Sequence, residues 1–200
     1  MQKVCILYSG GKDGSLASYI LEKMGYDVQL VTANFGVLDS WKYAKKSADA
    51  LGFDHRILRF EKDVAERAMD IIVKDGYPNN GINYIHKRVL SNVAEDFELI
   101  ADGTRKDDRV PWLNVGEIRS LEDSSNCQYL TPLRGIGYKT IDALAHALFE
   151  IEEGESEDIP KGDYEAEIRA LLKERCLDPG KFFPSHIQSR VLGWKKGEQS

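Results

Sequence analysis

A chain of 200 residues with 42% hydrophobic and 30% charged side chains excludes a disordered polymer, and at this length folding buries roughly 70% of the surface that the unfolded state exposes. A net charge of −6 argues against a general nucleic-acid coat and leaves only local basic faces for such a partner. No apolar run approaches the roughly 20 residues of a membrane helix, the first residues lack a signal-peptide pattern, and three scattered cysteines (Cys5, Cys127, Cys176) support neither a disulfide framework nor a CxxC metal site, so a reducing cytoplasm is expected.

Residues 4–8 form a short apolar run suited to a buried strand, which Gly10-Gly11 ends. Over residues 15–24, Leu16, Tyr19, Ile20 and Met24 share one helical face. Residues 28–32 read as a second strand with a polar exit at Asn34. Residues 39–51 are helical, with Asp39 or Ser40 as N-cap and Gly52 as the stop. Residues 55–60 alternate as a third strand, residues 64–73 are helical, and residues 76–81 are a loop rich in Gly, Pro and Asn. Ile82, Ile85, Val89, Leu90, Val93 and Phe97 then keep helical spacing, and residues 99–101 form a fourth strand. Tyr129 and Leu130 lie in a fifth strand, and residues 140–151 are helical. The acidic stretch 152–158 reads as a solvated linker, here extended to 152–163. Helical spacing resumes over 164–176, and Ser185 caps a last short helix through Leu192.

Alternating strands and helices predict an α/β fold: a doubly wound, Rossmann-like parallel sheet of about five strands over residues 1–151, with a small helical C-terminal extension over 164–200. Such sheets bind ligands beyond the carboxyl ends of their strands, so the loops after Tyr8, Thr32, Phe60, Ala101 and Leu130 are expected to line one edge.

The first of these loops is Ser9-Gly10-Gly11-Lys12-Asp13-Gly14-Ser15. Its glycines admit a ligand close to the backbone, and successive N–H groups at a helix start make an anion site. Ser9 and Ser15 offer hydroxyls to phosphate, and Lys12 offers charge. Asp13 within an anion site makes sense beside a cation, and Mg²⁺ with a nucleotide is the natural one. The loop is neither GxxxxGK[ST] nor GxGxxG. After the fourth strand, Arg105, Lys106 and Arg109 offer charge for a phosphoryl transition state, and Asp107 or Asp108 offers a Mg²⁺ ligand or a group that steers a nucleophile.

The loop resembles the PP-loop, SGGxDS, of the N-type ATP pyrophosphatases, the adenine nucleotide alpha-hydrolase-like superfamily, through Ser9, Gly10, Gly11, Asp13 and Ser15. Gly14 stands where that family usually has Ser, which removes one hydroxyl. The segments 101–111 and 184–193 are similar to archaeal stand-alone PP-loop proteins described as predicted tRNA thiouridylase subunits. The resemblance implies a HUP-like fold and ATP with Mg²⁺ as cofactors. It also implies adenylation of an acceptor with loss of pyrophosphate. Residues 33–35, Asn34 among them, would lie beside adenine and ribose, and Gly103 and Thr104 would form a second nucleotide-contacting loop. Lys139 would reach toward the phosphates, joined by Arg105 and Arg109. Metal binding falls to Asp13 and Asp107.

A sulfur-transfer reaction wants a reactive thiol, and Cys127, just before the fifth strand, is the candidate, with Cys5 assigned to the core and Cys176 to packing. His186, Gln188, Ser189 and Arg190 form a polar cluster able to fold over the site and meet substrate, Arg190 as anion contact and His186 as acid or base; a capped terminal helix is the alternative. His55, His86 and His146 lack ligand spacing and read as structural or surface residues. Small basic faces at Lys42, Lys45 and Lys46, at Lys87 and Arg88, and at Lys195 and Lys196 are available to tRNA, with a partner subunit or homodimer completing the surface. An ammonia-dependent ligase of a small metabolite and a non-catalytic nucleotide-sensing subunit are the rival readings.

Overall fold

The computed structural model of the chain describes residues 1–195 and 197. In chain order the elements are β1 (Lys3–Leu7), α1 (Lys12–Lys23), β2 (Asp27–Asn34), α2 (Trp41–Leu51), β3 (Asp54–Arg59), α3 (Lys62–Asp75), α4 (Asn79–Asp96) and β4 (Leu99–Ala101). There follow α5 (Val115–Ser125), β5 (Gln128–Leu130), α6 (Tyr138–Leu148), β6 (Phe149–Glu155), α7 (Tyr164–Glu174), a 3₁₀ turn (Pro179–Lys181) and β7 (Ile187–Trp194).

Five strands make one sheet in the order β3-β2-β1-β4-β5, all pairs parallel. The expected doubly wound α/β sheet is therefore the fold. Alternation along the strands feeds two cores. Val4, Ile6, Val28 and Leu30 pack under α1, α2 and α6. Cys5, Val31, Ala33 and Ile100 pack under α3, α4, α5 and α7. Each large apolar side chain taken fully from water contributes about 1.5–3 kcal/mol. Gly52 ends α2 in a left-handed conformation, φ 80°.

Four stretches depart from expectation. Residues 79–81, read as loop, open α4; a Cβ at Gly81 would lie 2.4 Å from Ile72 Cγ1 and 2.5 Å from the Ala68 carbonyl, so glycine is what lets α4 lie against α3. The helix α5 was not expected, although Asn114 and Glu117 form a reciprocal capping box at its start. Of the acidic stretch 152–158, read as linker, residues 152–155 belong to strand β6, which starts at the end of α6, and 156–158 form a turn.

The fourth departure is at the C-terminus, where 185–192 was read as a helix. Residues Ile187–Trp194 are instead strand β7, paired antiparallel with β6. The physical reason is the partner. Arg190 stands opposite Glu152 and bonds it at 2.6 Å, and Val191 stands opposite Ile151 with its side chain in the core. The C-terminal extension thus combines one helix, a 3₁₀ turn and one strand. The basic pair at 195–196 includes Lys196, which lies outside the described residues. Among the described residues no helix is long and apolar enough to cross a membrane.

Candidate functional site

A cleft of 460 Å³ opens at the carboxyl edge of the sheet. Its floor comes from the ends of β1, β2 and β4, and its walls from residues 9–15, the loop after β4, the start of α7 and β7. Residues 9–15 turn sharply because Gly10 adopts φ 90°, with a Cβ there only 3.2 Å from Ala44 Cα. The chain then enters α1, whose amino end carries the positive end of its dipole. Ser9, Lys12, Asp13 and Gly14 face the cleft. Ser15 is fully buried and its hydroxyl lies 3.0 Å from the Gly11 carbonyl and 2.9 Å from the Tyr8 hydroxyl, so it braces the loop from behind. A Cβ on Gly14 would meet the Tyr8 ring at 3.1 Å; the missing side chain is the space that the ring fills.

Asp13 is the half-buried carboxylate of this loop. Its Oδ1 is buried with no hydrogen-bond partner among the described residues. Its Oδ2 lies 3.6 Å from Arg105 Nε. Burial raises its pKa, against the opposing pull of Arg105. An acceptor oxygen left without a donor beside the amino end of a helix suits a divalent cation.

The loop after β4 abuts this turn. A Cβ on Gly103 would lie 2.8 Å from Gly14 N and 3.0 Å from Asp13 C, so only glycine lets the two backbones meet. Asp102 is buried and accepts from His86 Nε2 at 2.9 Å, from the Tyr129 hydroxyl at 2.5 Å and from the Thr104 amide at 2.9 Å. Burial alone would raise its pKa; the bonds from His86, Tyr129 and Thr104 outweigh it and hold the carboxyl below its ordinary value. His86 reaches the Tyr164 hydroxyl with Nδ1 at 3.3 Å, and both residues line the cleft. Arg105 is committed to Asp108 Oδ1 through Nε at 3.0 Å and Nη2 at 2.5 Å.

Lys12 is 5% exposed and its ammonium bonds Asp142 of α6 at 2.5 Å and Glu153 of β6 at 2.7 Å. Burial works against the charge, but the two carboxylates outweigh it and raise the pKa. Strand β7 lies against the loop from the same side. The Val191 amide donates to the Gly10 carbonyl at 2.9 Å, and Ser189 Oγ accepts from the Lys12 amide, the first of α1, at 3.3 Å.

Of the residues singled out in the sequence, the fold brings Ser9, Lys12, Asp13, Gly14, Gly103, Thr104, Arg105, His186, Gln188 and Ser189 to the cleft wall. Gly10 and Gly11 shape the turn behind it. The others sit elsewhere. Asn34 is buried, donating to the Leu38 carbonyl at 2.7 Å and to Glu167 Oε1 at 3.1 Å. Glu167, 1% exposed, also accepts from the amides of Phe35, Val37 and Leu38, so α7 clamps the exit of β2. Lys139 and Arg109 are exposed and outside the cleft lining. Asp107 is exposed beside it and accepts from the Tyr138 amide at 2.9 Å, a bond that lowers its pKa. Arg190 turns to Glu152 and to the Tyr43 ring. Cys127 precedes β5, at the amino edge of the sheet and opposite to the cleft, where burial and Glu122 raise its thiol pKa. Burial pushes the Cys5 thiol up to about 12.

Sequence reasoning missed His86, Tyr164 and Lys161, which all line the cleft. The hydrophobic spacing of α4 placed position 86 on the buried face with Ile82, Ile85 and Val89, and a histidine there was the available signal. Among the basic faces, Lys42 pairs with Asp39, Lys45 with Asp49, and Lys87 with Glu117.

The chain is 49% identical over 196 residues to an uncharacterised protein of Methanocaldococcus jannaschii, covering 98% of each. It superposes with a TM-score of 0.92, at 48% identity over 98% of this chain and 99% of the other, on a Methanocaldococcus jannaschii crystal structure described as a predicted subunit of tRNA methyltransferase. It is more distantly similar to the tRNA-5-methyluridine(54) 2-sulfurtransferase of Pyrococcus horikoshii, 26% identical over 56% of this chain and 38% of that enzyme. A tRNA-specific 2-thiouridylase of Thermoanaerobacter is 29% identical over 98% of this chain and 65% of that enzyme, so the chain spans well under the length of these tRNA enzymes. A family model matches residues 1–193, and the chain belongs to that family, the family of unknown function DUF7411.

Proposed function

We propose that this chain binds ATP in the cleft and transfers its adenylyl group to an oxygen of an acceptor, releasing pyrophosphate. The observation that carries this reading is Asp13: an unpartnered buried carboxylate oxygen in a glycine turn at the amino end of α1, with Arg105 beside it. Asp13 is the residue that would hold Mg²⁺, with Asp108 nearby through their shared partner Arg105. Bound there, the ion would supply charge neutralisation for the polyphosphate.

The chain's own groups account for the rest. Amides of the 9–15 turn and the α1 dipole favour the phosphates. In the reaction an acceptor oxygen donates a lone pair to the α-phosphorus, the bond to the bridging oxygen breaks, and that electron pair leaves with pyrophosphate. Donors already oriented for the leaving group lower its barrier without reorganising. The apolar floor at Leu7, Val31, Ala33 and Ile82 suits a purine base.

The acceptor is best read as a tRNA base in a thiolation-type modification. That rests on the partial likeness to tRNA 2-thiouridylases and to a 2-sulfurtransferase. Cys5, Cys127 and Cys176 all lie outside the cleft lining, so the second nucleophile is taken to come from a donor other than these thiols, a partner protein or a small molecule. The description of the Methanocaldococcus relative as a predicted subunit of tRNA methyltransferase supports a partner protein and a tRNA substrate and names methyl transfer, not sulfur transfer.

The test is pyrophosphate release from ATP and Mg²⁺ with bulk tRNA, ammonium or sulfide added separately, for the wild type and Asp13→Ala. Release that needs tRNA and falls roughly 100-fold or more in the variant is expected. Release with ammonium alone moves the acceptor to a small metabolite; nucleotide binding without release in any mixture leaves a sensing subunit.

A further inference from the structure

Three cations stand on the wall of the cleft: Lys12, Arg105 and Lys161. Two of them are spoken for. Lys12 is held by two carboxylates at 2.5 and 2.7 Å and is almost fully buried. Turning it toward a ligand would break both contacts. Arg105 carries two bonds to Asp108.

Lys161 is held by fewer contacts than either, although its exposure is close to the 19% of Arg105. Its ion pair is a single contact, with Asp163 at 3.2 Å, and both side chains keep about a fifth of their surface in water (20% and 19%). One contact of this kind costs less to exchange than the paired bonds that hold Lys12 and Arg105. Asp163 has a second duty that holds it in place: its Oδ1 caps α7 by accepting from the Ala166 amide at 2.9 Å. Lys161 can therefore leave while Asp163 stays.

The backbone that carries Lys161 is bolted to the glycine turn. The Gly162 amide donates to the Ser9 carbonyl at 2.8 Å. A Cβ on Gly162 would lie 3.0 Å from Ala44 Cβ, 3.1 Å from Thr32 Cγ2 and 3.3 Å from the Ser40 carbonyl. This packing fixes the loop against β2 and α2, so the lysine's reach is set by its own side chain. It lies close enough to favour the ionised form of Asp13. Lys161 also lines an adjoining cavity of 720 Å³ between α2 and α7, so it stands where the two spaces meet.

We infer that Lys161 is the lysine that contacts the β- and γ-phosphates of ATP, exchanging Asp163 for the polyphosphate, while Lys12 serves as the anchor between α1, α6 and β6. This deepens the proposed function and rests on it: the cleft must take ATP. On release, Lys161 would neutralise charge gathering on the departing pyrophosphate, and Asp163 would receive the ammonium back.

The experiment is calorimetric titration of the full chain with MgATP and with AMP, for the wild type, Lys161→Met and Lys161→Arg, with a thermal melt as a control for folding. A contact to the outer phosphates weakens ATP roughly 10- to 100-fold in Lys161→Met. AMP, which lacks those phosphates, stays within about twofold, and Lys161→Arg recovers part of the ATP affinity because it keeps the charge. Equal losses for ATP and AMP, or no loss for ATP, overturn the assignment while leaving ATP binding intact. A wild type that binds neither nucleotide defeats the ATP reading itself and the assignment with it.

Discussion

The turn at residues 9–15 and the antiparallel pair β6–β7, which meets the cleft through β7, owe their order to different sources. The turn is a local construction: a buried strand before it, a helix after it, and a glycine at φ 90° between them. The strand pair carries four glutamates in the seven residues of β6, and what orders it lies far away in the chain. Val191 bonds the Gly10 carbonyl, Ser47 donates to the Val191 carbonyl at 2.6 Å, and Glu153 bonds Lys12. A cradle set by local sequence and a cover set by distant contacts should respond differently to substitution. Damage to the cradle side should cost global stability, and damage to charge pairs on the cover should cost little.

Asp102→Asn, behind the cradle, carries the largest expected effect. The carboxylate accepts three buried bonds, and an amide there sets a donor against one of its own donors. Bonds to a charged acceptor contribute roughly 1.5–3 kcal/mol each, so weakening two of them costs about 3–5 kcal/mol, read as a drop in the urea midpoint. The pH dependence has a defined sign. The folded pKa of Asp102 lies below its ordinary value, so its contribution is present above about pH 4 and is lost as pH falls through that range toward the folded value. The variant should therefore lose part of the acid limb of the stability profile. An unchanged acid limb would assign that limb to other carboxylates.

Glu167→Gln tests the tie between α7 and the exit of β2. The carboxylate gathers amides from Phe35, Val37 and Leu38, and its charged form is opposed by burial, which raises its pKa. A net loss of about 2 kcal/mol is expected, since bonds to a charged acceptor contribute roughly 1.5–3 kcal/mol and relief of burial returns some of that. Local hydrogen exchange should quicken at 35–38 before it does in the sheet.

Arg190→Ala, on β7, should be the mildest. Its pair with Glu152 is partly exposed, at 19% and 42%, and such pairs contribute about 0–1 kcal/mol. A loss above about 2 kcal/mol would mean that charge pairing, and not the backbone bonds to Gly10 and Ser47, holds the cover down.

The same contrast explains what could be read in advance. Strands β1 to β4 and their helices were legible because their apolar spacing is set by the face they bury, as with Ile85, Val89 and Val93 on α4. The turn at 9–15 and the Asp102–Thr104 segment were legible because each is one contiguous run of residues. Strand β6 was not, since Glu152, Glu153 and Glu155 resemble a solvated linker until Arg190, Ser189 and Ile187 are set opposite them. The polar cluster of β7 resembled a capped helix for the same reason. Helix α5 had a local signal in Asn114 and Glu117 that its weak apolar face, with only Leu121 buried, did not reinforce. In the cleft, His86, Tyr164 and Lys161 come from α4, α7 and the loop before α7, and only tertiary packing unites them. Lys12 shows the reverse case: a residue in the right motif whose partners, Asp142 and Glu153, lie more than 100 residues away and take its charge.

Cleavage of ATP between its α- and β-phosphates is the most direct mark of an adenylating site. ATP labelled at the γ-phosphate, incubated with the protein, Mg²⁺ and bulk tRNA, should give AMP and labelled pyrophosphate. ADP with labelled orthophosphate would place the cut between the β- and γ-phosphates and contradict an adenylating site.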